Sequence, residues 1–151
     1  MTFGLNYQNF DLTVLLQGQS GAKWQLNNGF NSGAAGNGLE YVALNSFSLK
    51  NTNAILPMIS PNGVAASNAD FYYHNAIWLR LKSMELGYTL PRNLLAKVKI
   101  AALRIYLSGE NVCMIFNNLK KYGAGDPEFL LGNGSGYPNM RNLSFGLNLT
   151  F

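Results

Sequence analysis

The side chains that could do chemistry in this chain are few and scattered. His74 is the only histidine and Cys113 the only cysteine, so the sequence offers no second imidazole or thiolate for a zinc site. Serine, histidine and acidic residues occur, but no segment has the spacing of a nucleophile elbow or another catalytic motif. The glycine-rich runs at 33–38 and 132–136 lack the Gly-Lys-Ser/Thr ending of a phosphate loop. We therefore expect no enzyme, no cofactor and no metal site.

Four charged side chains are candidates for contact with a ligand. Asp126 and Glu128 lie in a predicted loop on either side of a proline, where carboxylates commonly form turns and could also meet a cation or sugar hydroxyls. Arg80 and Lys82 lie inside a predicted strand, where they could face a lumen and touch a plug or a substrate, or else pack at an irregularity of the strand. Both interpretations stay open for each pair.

The element that is best defined by the sequence is the end of the chain. From Arg141 to Phe151, apolar residues alternate with small polar ones, and the apolar set consists of Leu143, Phe145, Leu147, Leu149 and Phe151. One face apolar enough for lipid and one face small and polar are typical of a membrane β-strand beside a water-filled lumen. Soluble edge strands are usually protected by charge, proline or a bulge, and the only charge here is Arg141. We interpret Phe145, Leu149 and Phe151 as membrane anchors.

The composition agrees with alternating rather than continuous hydrophobicity. Charged residues make up 12% of the chain, about half the usual share in soluble domains, whereas the mean hydropathy is +0.01. No run approaches the roughly 20 apolar residues of a membrane helix. The net charge of +4 is not gathered on one helix or stripe, which argues against a nucleic-acid partner.

Four further strands are predicted by the same alternation. A tight hairpin is expected around Gln8-Asn9. In the third strand the apolar residues change phase near Lys82-Ser83, which indicates a β-bulge, and a second irregularity is expected at Gly109. The predicted strands are Thr2 to Tyr7, Phe10 to Gln17, Ala76 to Leu90 and Leu103 to Phe116.

The connections between these strands alternate in length. Residues 18–75 are predicted to form a functional loop or several local elements, with a short strand or helix around 39–50. Residues 92–99 have the spacing of one or two helical turns, and 120–139 form a second loop. Short turns at one end and long loops at the other are typical of outer-membrane barrels. This polarity predicts two aromatic girdles, one of Tyr7, Phe10, Tyr88 and Phe151, the other of Phe71, Tyr72, Tyr73, Trp78 and Phe116.

Several segments, in order along the chain, resemble a known family. Residues 70–73 (Asp-Phe-Tyr-Tyr) lead through 78–82 (Trp-Leu-Arg-Leu-Lys) to 86–91 (Leu-Gly-Tyr-Thr-Leu-Pro), and these are followed by 103–111 (Leu-Arg-Ile-Tyr-Leu-Ser-Gly-Glu-Asn). Tyr-Gly at 122–123, Asp-Pro-Glu at 126–128 and the segment 136–151 complete the series. Together they resemble the SusC/RagA-like TonB-dependent outer-membrane transporters of Bacteroidetes.

This resemblance implies a function, a location and partners. The family imports oligosaccharides, or peptides in some members, across the outer membrane, so the chain is expected to be an integral protein of the bacterial outer membrane in contact with lipid. The partners implied are a SusD-like lipoprotein, TonB and an oligosaccharide or peptide substrate. The resemblance also implies that the outer-membrane assembly machinery recognises the terminal Phe151.

The chain is short for that family. Large plugged transporters have about 22 strands, whereas five are predicted here, and no plug sequence, TonB box or signal peptide is visible. We therefore interpret residues 1–151 as the C-terminal barrel segment of such a transporter, with the plug domain absent and upstream sequence missing. The fold class is all-β, about five antiparallel strands that stay open in isolation and cannot transport alone.

Two alternatives remain at this point. A small self-contained barrel of eight strands fits the length of the chain, but it needs three more strands within residues 18–75. A soluble β-sandwich that binds carbohydrate would instead pack the alternating apolar faces against each other. The number of strands and the exposure of the apolar faces distinguish these alternatives from the barrel segment.

Overall fold

The computed structural model confirms an all-β chain built on one open, antiparallel sheet. It describes residues 1–26, 39–59, 70–95, 100–129, 137 and 139–151. Five strands follow one another in the sheet in chain order, as predicted: β1 (Thr2–Tyr7), β2 (Phe10–Gln25), β3 (Tyr73–Thr89), β4 (Ala102–Asn117) and β5 (Asn142–Thr150). Two short helices, α1 (Glu40–Asn45) and α2 (Arg92–Leu95), and three 3₁₀ turns, Asp70–Tyr72, Lys120–Tyr122 and Pro127–Phe129, lie between strands.

The register of the outer strand pairs separates an apolar face from a polar face. On the apolar face the opposed pairs are Phe3 with Val14, Leu5 with Leu12, Leu103 with Leu149, Ile105 with Leu147 and Leu107 with Phe145. On the polar face they are Gly4 with Thr13, Asn6 with Asp11, Arg104 with Asn148, Tyr106 with Gly146 and Ser108 with Ser144. The apolar face is not covered by the described residues, since Phe145 is 69% exposed.

The two predicted irregularities have different outcomes. In β3 the exposed apolar residues are Ile77 and Leu79, then Met84 and Leu86, so the phase changes within the predicted stretch. In β4 the left-handed residue is Asn111, with a φ of 50°, two positions beyond the predicted Gly109. The pairing of β4 with β5 ends just before it.

The described residues group into two compact units, and three strands contribute to both. The first unit takes residues 1–18, 79–116 and 139–151, and it contains β1, β5 and parts of the other strands. The second takes residues from 19–78 and 117–138. Its core is a small buried cluster of Leu26, Val42, Leu56 and Tyr72, against which Trp24, Leu39 and Tyr41 pack.

Two boundaries and one girdle are corrected by the structure. β2 continues to Gln25 rather than ending at Gln17, and β3 begins at Tyr73 rather than Ala76. Strand pairing depends on backbone hydrogen bonds, which continue where apolar alternation has stopped. Tyr72 and Trp78 were expected in a lipid-facing girdle, but both are buried. Tyr72 belongs to the core of the second unit, and Trp78 Nε1 lies 3.4 Å from the Gln19 side-chain oxygen that accepts its hydrogen bond.

The connections agree with the sequence pattern where they are described. α1 lies within the stretch 39–50 for which a short strand or helix was expected, and α2 is a single turn that begins at Arg92; residues 96–99 lie outside the described residues. Within the described ranges the sheet contains five strands and stays open, and no second sheet packs on its apolar face. The structure therefore gives no support to the eight-stranded barrel or the soluble sandwich.

Candidate functional site on the polar face of the sheet

An ion network crosses three adjacent strands on the polar face. Arg104 of β4 donates to both carboxylate oxygens of Asp11 on β2, with its Nε 3.0 Å from Asp11 Oδ1. Its Nη2 also donates to Glu85 Oε1 on β3, at 2.7 Å. The side chains of Arg104, Asp11 and Glu85 are 25%, 31% and 40% exposed, so the network is open to solvent on one side. Two-point binding by a planar guanidinium fixes the orientation of Arg104 as well as its charge.

Gly87 makes this network sterically feasible. It lies on β3, between the strands that carry Arg104 and Asp11. A Cβ atom built on Gly87 would overlap the Arg104 guanidinium and the Asp11 carboxylate. The glycine therefore supplies the gap through which the arginine reaches across a strand.

A second glycine supports the neighbouring aromatic side chain. Tyr106 lies directly over Gly146, its partner on β5, where any Cβ atom would overlap the tyrosine ring. The Arg104 guanidinium carbon lies 5.2 Å from the centroid of the Tyr106 ring, within the range of a cation–π contact. Arg104, Tyr106 and the two glycines thus form a continuous polar wall from β2 to β5.

Farther along the same face, β4 and β5 line an open polar recess of about 500 Å³. Its walls include Ser108, Glu110, Arg141, Asn142 and Ser144. The Asn142 amide donates to Glu110 at 3.5 Å. The recess offers hydroxyl, amide, carboxylate and guanidinium groups, which suit a hydrated polar solute better than an apolar one.

The three predicted anchors are exposed side chains at the end of the chain. Phe145 and Leu149 point to the apolar face opposite Leu107 and Leu103, and Phe151 is 89% exposed just beyond the end of β5. Their roles as membrane anchors and in recognition by an assembly machinery both stay predictions.

The four charged candidates are not brought together. Arg80 is buried in β3, 5% exposed, whereas Lys82 is half-buried. Asp126 accepts a hydrogen bond from the Glu128 backbone N–H at 3.1 Å, which is the local turn that carboxylates near proline commonly form. Contact of these residues with a substrate or plug stays a prediction.

The ion network of Asp11, Glu85 and Arg104 was not predicted from the sequence. Each of the three is flanked on both sides by apolar residues, as in Phe10-Asp11-Leu12 and Leu103-Arg104-Ile105. A charge in the polar phase of an alternating strand is costly unless it is paired or wet, so these flanks were the available signal. The partners themselves depend on strand register and could not be read locally.

Two further features are absent from the described parts of the chain. No group of three histidine, cysteine or acidic side chains is placed there to hold a metal ion. No described helix is both long and apolar enough to cross a membrane.

Two curated relatives of this chain are TonB-dependent receptors. No family model matches the sequence. TonB-dependent receptor P3 of Formosa agariphila is 30% identical and aligns with 97% of this chain, and TonB-dependent receptor P26 of the same organism is 26% identical over 97%. The chain spans 15% and 16% of the length of these two curated relatives.

Solved structures give the same fold. A chain in the structure of the RagAB peptide transporter superposes with a TM-score of 0.70 at 25% identity, covering 99% of this chain and 17% of the larger one. A chain in the RagAB peptide importer in its open-open state gives a TM-score of 0.67 at 23% identity, with 99% and 16% coverage. The five-stranded sheet is thus the fold of one segment of a much larger chain.

Proposed function

Because this chain is homologous over nearly its whole length to TonB-dependent receptors of the SusC/RagA type, we propose that it forms part of the barrel wall of a nutrient importer in the bacterial outer membrane. The observation that carries the proposal is the division of one sheet into two faces. One face is apolar and exposed, and the other carries the ion network and the polar recess.

The apolar face is suited to lipid. Side chains such as Leu5, Leu143 and Phe145 are more than half exposed although they lie in regular strands. A continuous apolar surface of this kind is disfavoured in water, whereas lipid is its natural surroundings in an outer-membrane barrel. We assign this face to the bilayer.

The strand lengths support the same assignment. Within the first unit β2 contributes residues 10–18, β3 contributes 79–89, and the whole of β5 is nine residues long. A tilted transmembrane strand needs about 9–11 residues. We assign these segments of the first unit to the membrane.

The polar face is suited to a hydrated lumen. Partly exposed charges in a membrane protein are stable where they pair with one another or meet water, and Asp11, Glu85 and Arg104 do both. We propose that this face lines the interior of the importer, where Arg80 and Lys82 would also act, and that Asp126 and Glu128 contribute to an external loop.

The two edges of the sheet require neighbours. β1 and β5 each have one unpaired edge among the described strands, and unpaired backbone groups are not stable in hydrocarbon. We propose that further strands of the same barrel pair with both edges and that residues 1–151 form its C-terminal segment. Phe151, Phe145 and Leu149 would then anchor the closing strand and present it to the outer-membrane assembly machinery.

The substrate and protein partners follow from the relatives. The RagAB structures are described as a peptide importer and transporter, and the curated relatives as TonB-dependent receptors. We propose a peptide or oligosaccharide as the transported solute, TonB as the source of energy and a SusD-like lipoprotein as the partner outside the membrane.

Blocking the polar face from within tests this proposal. In cells that produce a complete transporter containing residues 1–151, with the exposed Cys113 replaced by serine, a cysteine is placed at Asn148 on the polar face or, as the matched control, at Leu147 on the apolar face. A bulky water-soluble maleimide should reduce uptake of a labelled peptide or oligosaccharide in cells with Asn148→Cys only. Uptake should also stop when the proton-motive force is collapsed. Equal uptake in both cell lines after confirmed labelling of Asn148→Cys would contradict a lumen-facing role.

A further inference from the structure

Four elements of the second unit meet around a single imidazole. His74, at the start of β3, stacks on Tyr122 of the 3₁₀ turn Lys120–Tyr122, with ring centroids 3.6 Å apart and an interplanar angle of 11°. Tyr41 of α1 meets the same tyrosine edge-on at 4.9 Å, and Trp24 of β2 lies 6.3 Å from the imidazole. We call Trp24, Tyr41, His74 and Tyr122 the aromatic cluster.

The imidazole is held in a place that suits its neutral form. His74 Nε2 is buried and has no hydrogen-bond partner among the described residues. The ammonium group of Lys121 lies 4.8 Å from the centroid of the Tyr122 ring, so the ring that stacks on His74 already meets a cation. Protonation of His74 would therefore bring a second positive charge to that ring.

The surroundings of His74 oppose its protonation. Burial lowers the pKa of His74, and the positive charge of Lys121 lowers it further. The phenol of Tyr41 faces the imidazole as a neutral group, since burial and its neighbour Tyr122 raise the pKa of Tyr41. Two other charged residues lie on the elements packed around His74: Glu40 beside Tyr41 on α1, and Lys23 beside Trp24 on β2. Neither contributes to the lowered pKa of His74.

We propose that His74 is an acid-sensitive latch: the neutral imidazole holds the turn Lys120–Tyr122 against α1 and β3, and protonation releases that turn. A proton at Nε2 would be buried without an acceptor, which costs free energy that an exposed imidazolium does not incur. The inference rests on contacts within the second unit and does not depend on the proposed import function. His74 lies outside the segment 79–89 that we assign to the bilayer.

The direction of the pH dependence follows from linkage. A histidine whose folded-state pKa is lowered binds more protons when it is released, so acid favours release. The contribution of the latch is complete above the ordinary imidazole pKa of about 6.5 and is lost as the pH falls through the lower pKa of the folded state. Each unit by which the pKa is lowered corresponds to about a tenfold change in the equilibrium between held and released turn.

Because His74 is the only histidine, its titration can be observed directly. The 151-residue chain, carrying a purification tag without histidine, is labelled with ¹⁵N-histidine and studied in detergent micelles by nuclear magnetic resonance between pH 8 and pH 4.5. A midpoint below 6.5 is expected, and it should rise towards 6.5 in Lys121→Gln, which removes the competing cation. A midpoint at or above 6.5 in the unmodified chain would overturn the latch.

Hydrogen exchange tests whether the turn is released. Amide exchange at 119–123, corrected for its intrinsic pH dependence, should accelerate at acid pH by about tenfold for each unit of lowering found in the titration. In His74→Phe, which keeps a flat ring but cannot be protonated, the corrected exchange should not depend on pH. Should that variant fail to fold, Lys121→Gln provides the second comparison, with a smaller acceleration than the unmodified chain. The proposal would be contradicted if the corrected exchange rate did not change over the pH range in which His74 titrates. It would also be contradicted if exchange accelerated equally in His74→Phe.

Discussion

The two compact units differ in the exposure of their apolar side chains. In the second unit Leu26, Val42 and Leu56 are 3% exposed or less and pack together with Tyr72. In the first unit Leu5, Leu143 and Phe145 are all more than 60% exposed although the strands that carry them are regular. The second unit therefore buries its apolar side chains, as proteins in water usually do, whereas the first unit exposes them. This difference is the basis of our proposal that lipid, rather than a protein core, covers the apolar face of the first unit.

The polar residues show the same contrast. Charges of the first unit pair across strands on one face, whereas the second unit gathers aromatic rings around an imidazole. In the first unit the fold depends on which face each residue occupies, because a shift of one residue would exchange the apolar and the polar side chains between the two faces. In the second unit it depends on packing at a few buried positions.

The largest effect is expected in the core of the second unit. Leu26→Ala removes a fully buried side chain from the cluster with Val42 and Tyr72, at a cost of about 2–5 kcal/mol. Leu5→Ala, the matched change at an exposed position of the first unit, should cost much less. Hydrogen exchange of peptides from 40–58 should rise strongly in the first variant and stay unchanged in the second. Similar exchange in both variants would remove the contrast between the units.

A charge on the apolar face should rank next. Leu147→Arg places a guanidinium on the face assigned to lipid, which costs about 2–4 kcal/mol at the middle of a bilayer. Ser144→Arg is the control on the polar face of the same strand, opposite Ser108, and should be tolerated. Urea unfolding in phospholipid vesicles measures the difference, and equal midpoints for the two variants would show that lipid does not distinguish the faces.

Gly87 should be much more sensitive to substitution than Gly4, which also lies on the polar face. Gly87→Ala puts a methyl group where the Arg104 guanidinium and the Asp11 carboxylate lie, and overpacking of this kind costs about 1–3 kcal/mol. Gly4→Ala is the control, because a Cβ there meets nothing within 4 Å. The urea midpoint should fall for the first substitution alone. A midpoint unaffected by Gly87→Ala would mean that the ion network can move aside without loss.

The smallest effect is expected within the ion network itself. Asp11 accepts two hydrogen bonds from Arg104 and Glu85 accepts one, so Asp11→Asn should lower the urea midpoint more than Glu85→Gln. Partly exposed ion pairs contribute about 0.2–1 kcal/mol each, and high salt should reduce the difference. The reverse order would assign the main role to Glu85 rather than to Asp11.

The two units also differ in how far the sequence predicts them. Alternation is a local pattern, so it located all five strands and the faces of residues such as Phe145 and Leu149. It could not locate the end of β2, because Gly18 to Gln25 continues the sheet without apolar alternation. The burial of Tyr72 and Trp78 was not predicted because it depends on contacts between distant residues within the irregular second unit.

The candidate site was predicted only in outline. A polar face was expected, but the pairing of Arg104 with Asp11 joins residues 93 positions apart in sequence and depends on the order and register of three strands. The gap at Gly87 is likewise visible only once the neighbouring side chains are placed. Arg80 and Lys82, which the sequence singled out, lie on β3, where Arg80 is buried and Lys82 is half-buried.

Thiol labelling along β5 tests the division into lipid and polar faces most directly. In outer-membrane vesicles from cells that produce the protein with Cys113→Ser, single cysteines are placed in turn at positions 143–145 and 147–149 and exposed to a water-soluble maleimide. Gly146 is left unchanged because Tyr106 covers it. We expect labelling at Ser144 and Asn148 and protection at Leu143, Phe145, Leu147 and Leu149. Uniform labelling of all six positions, or labelling in the opposite phase, would contradict the division into two faces.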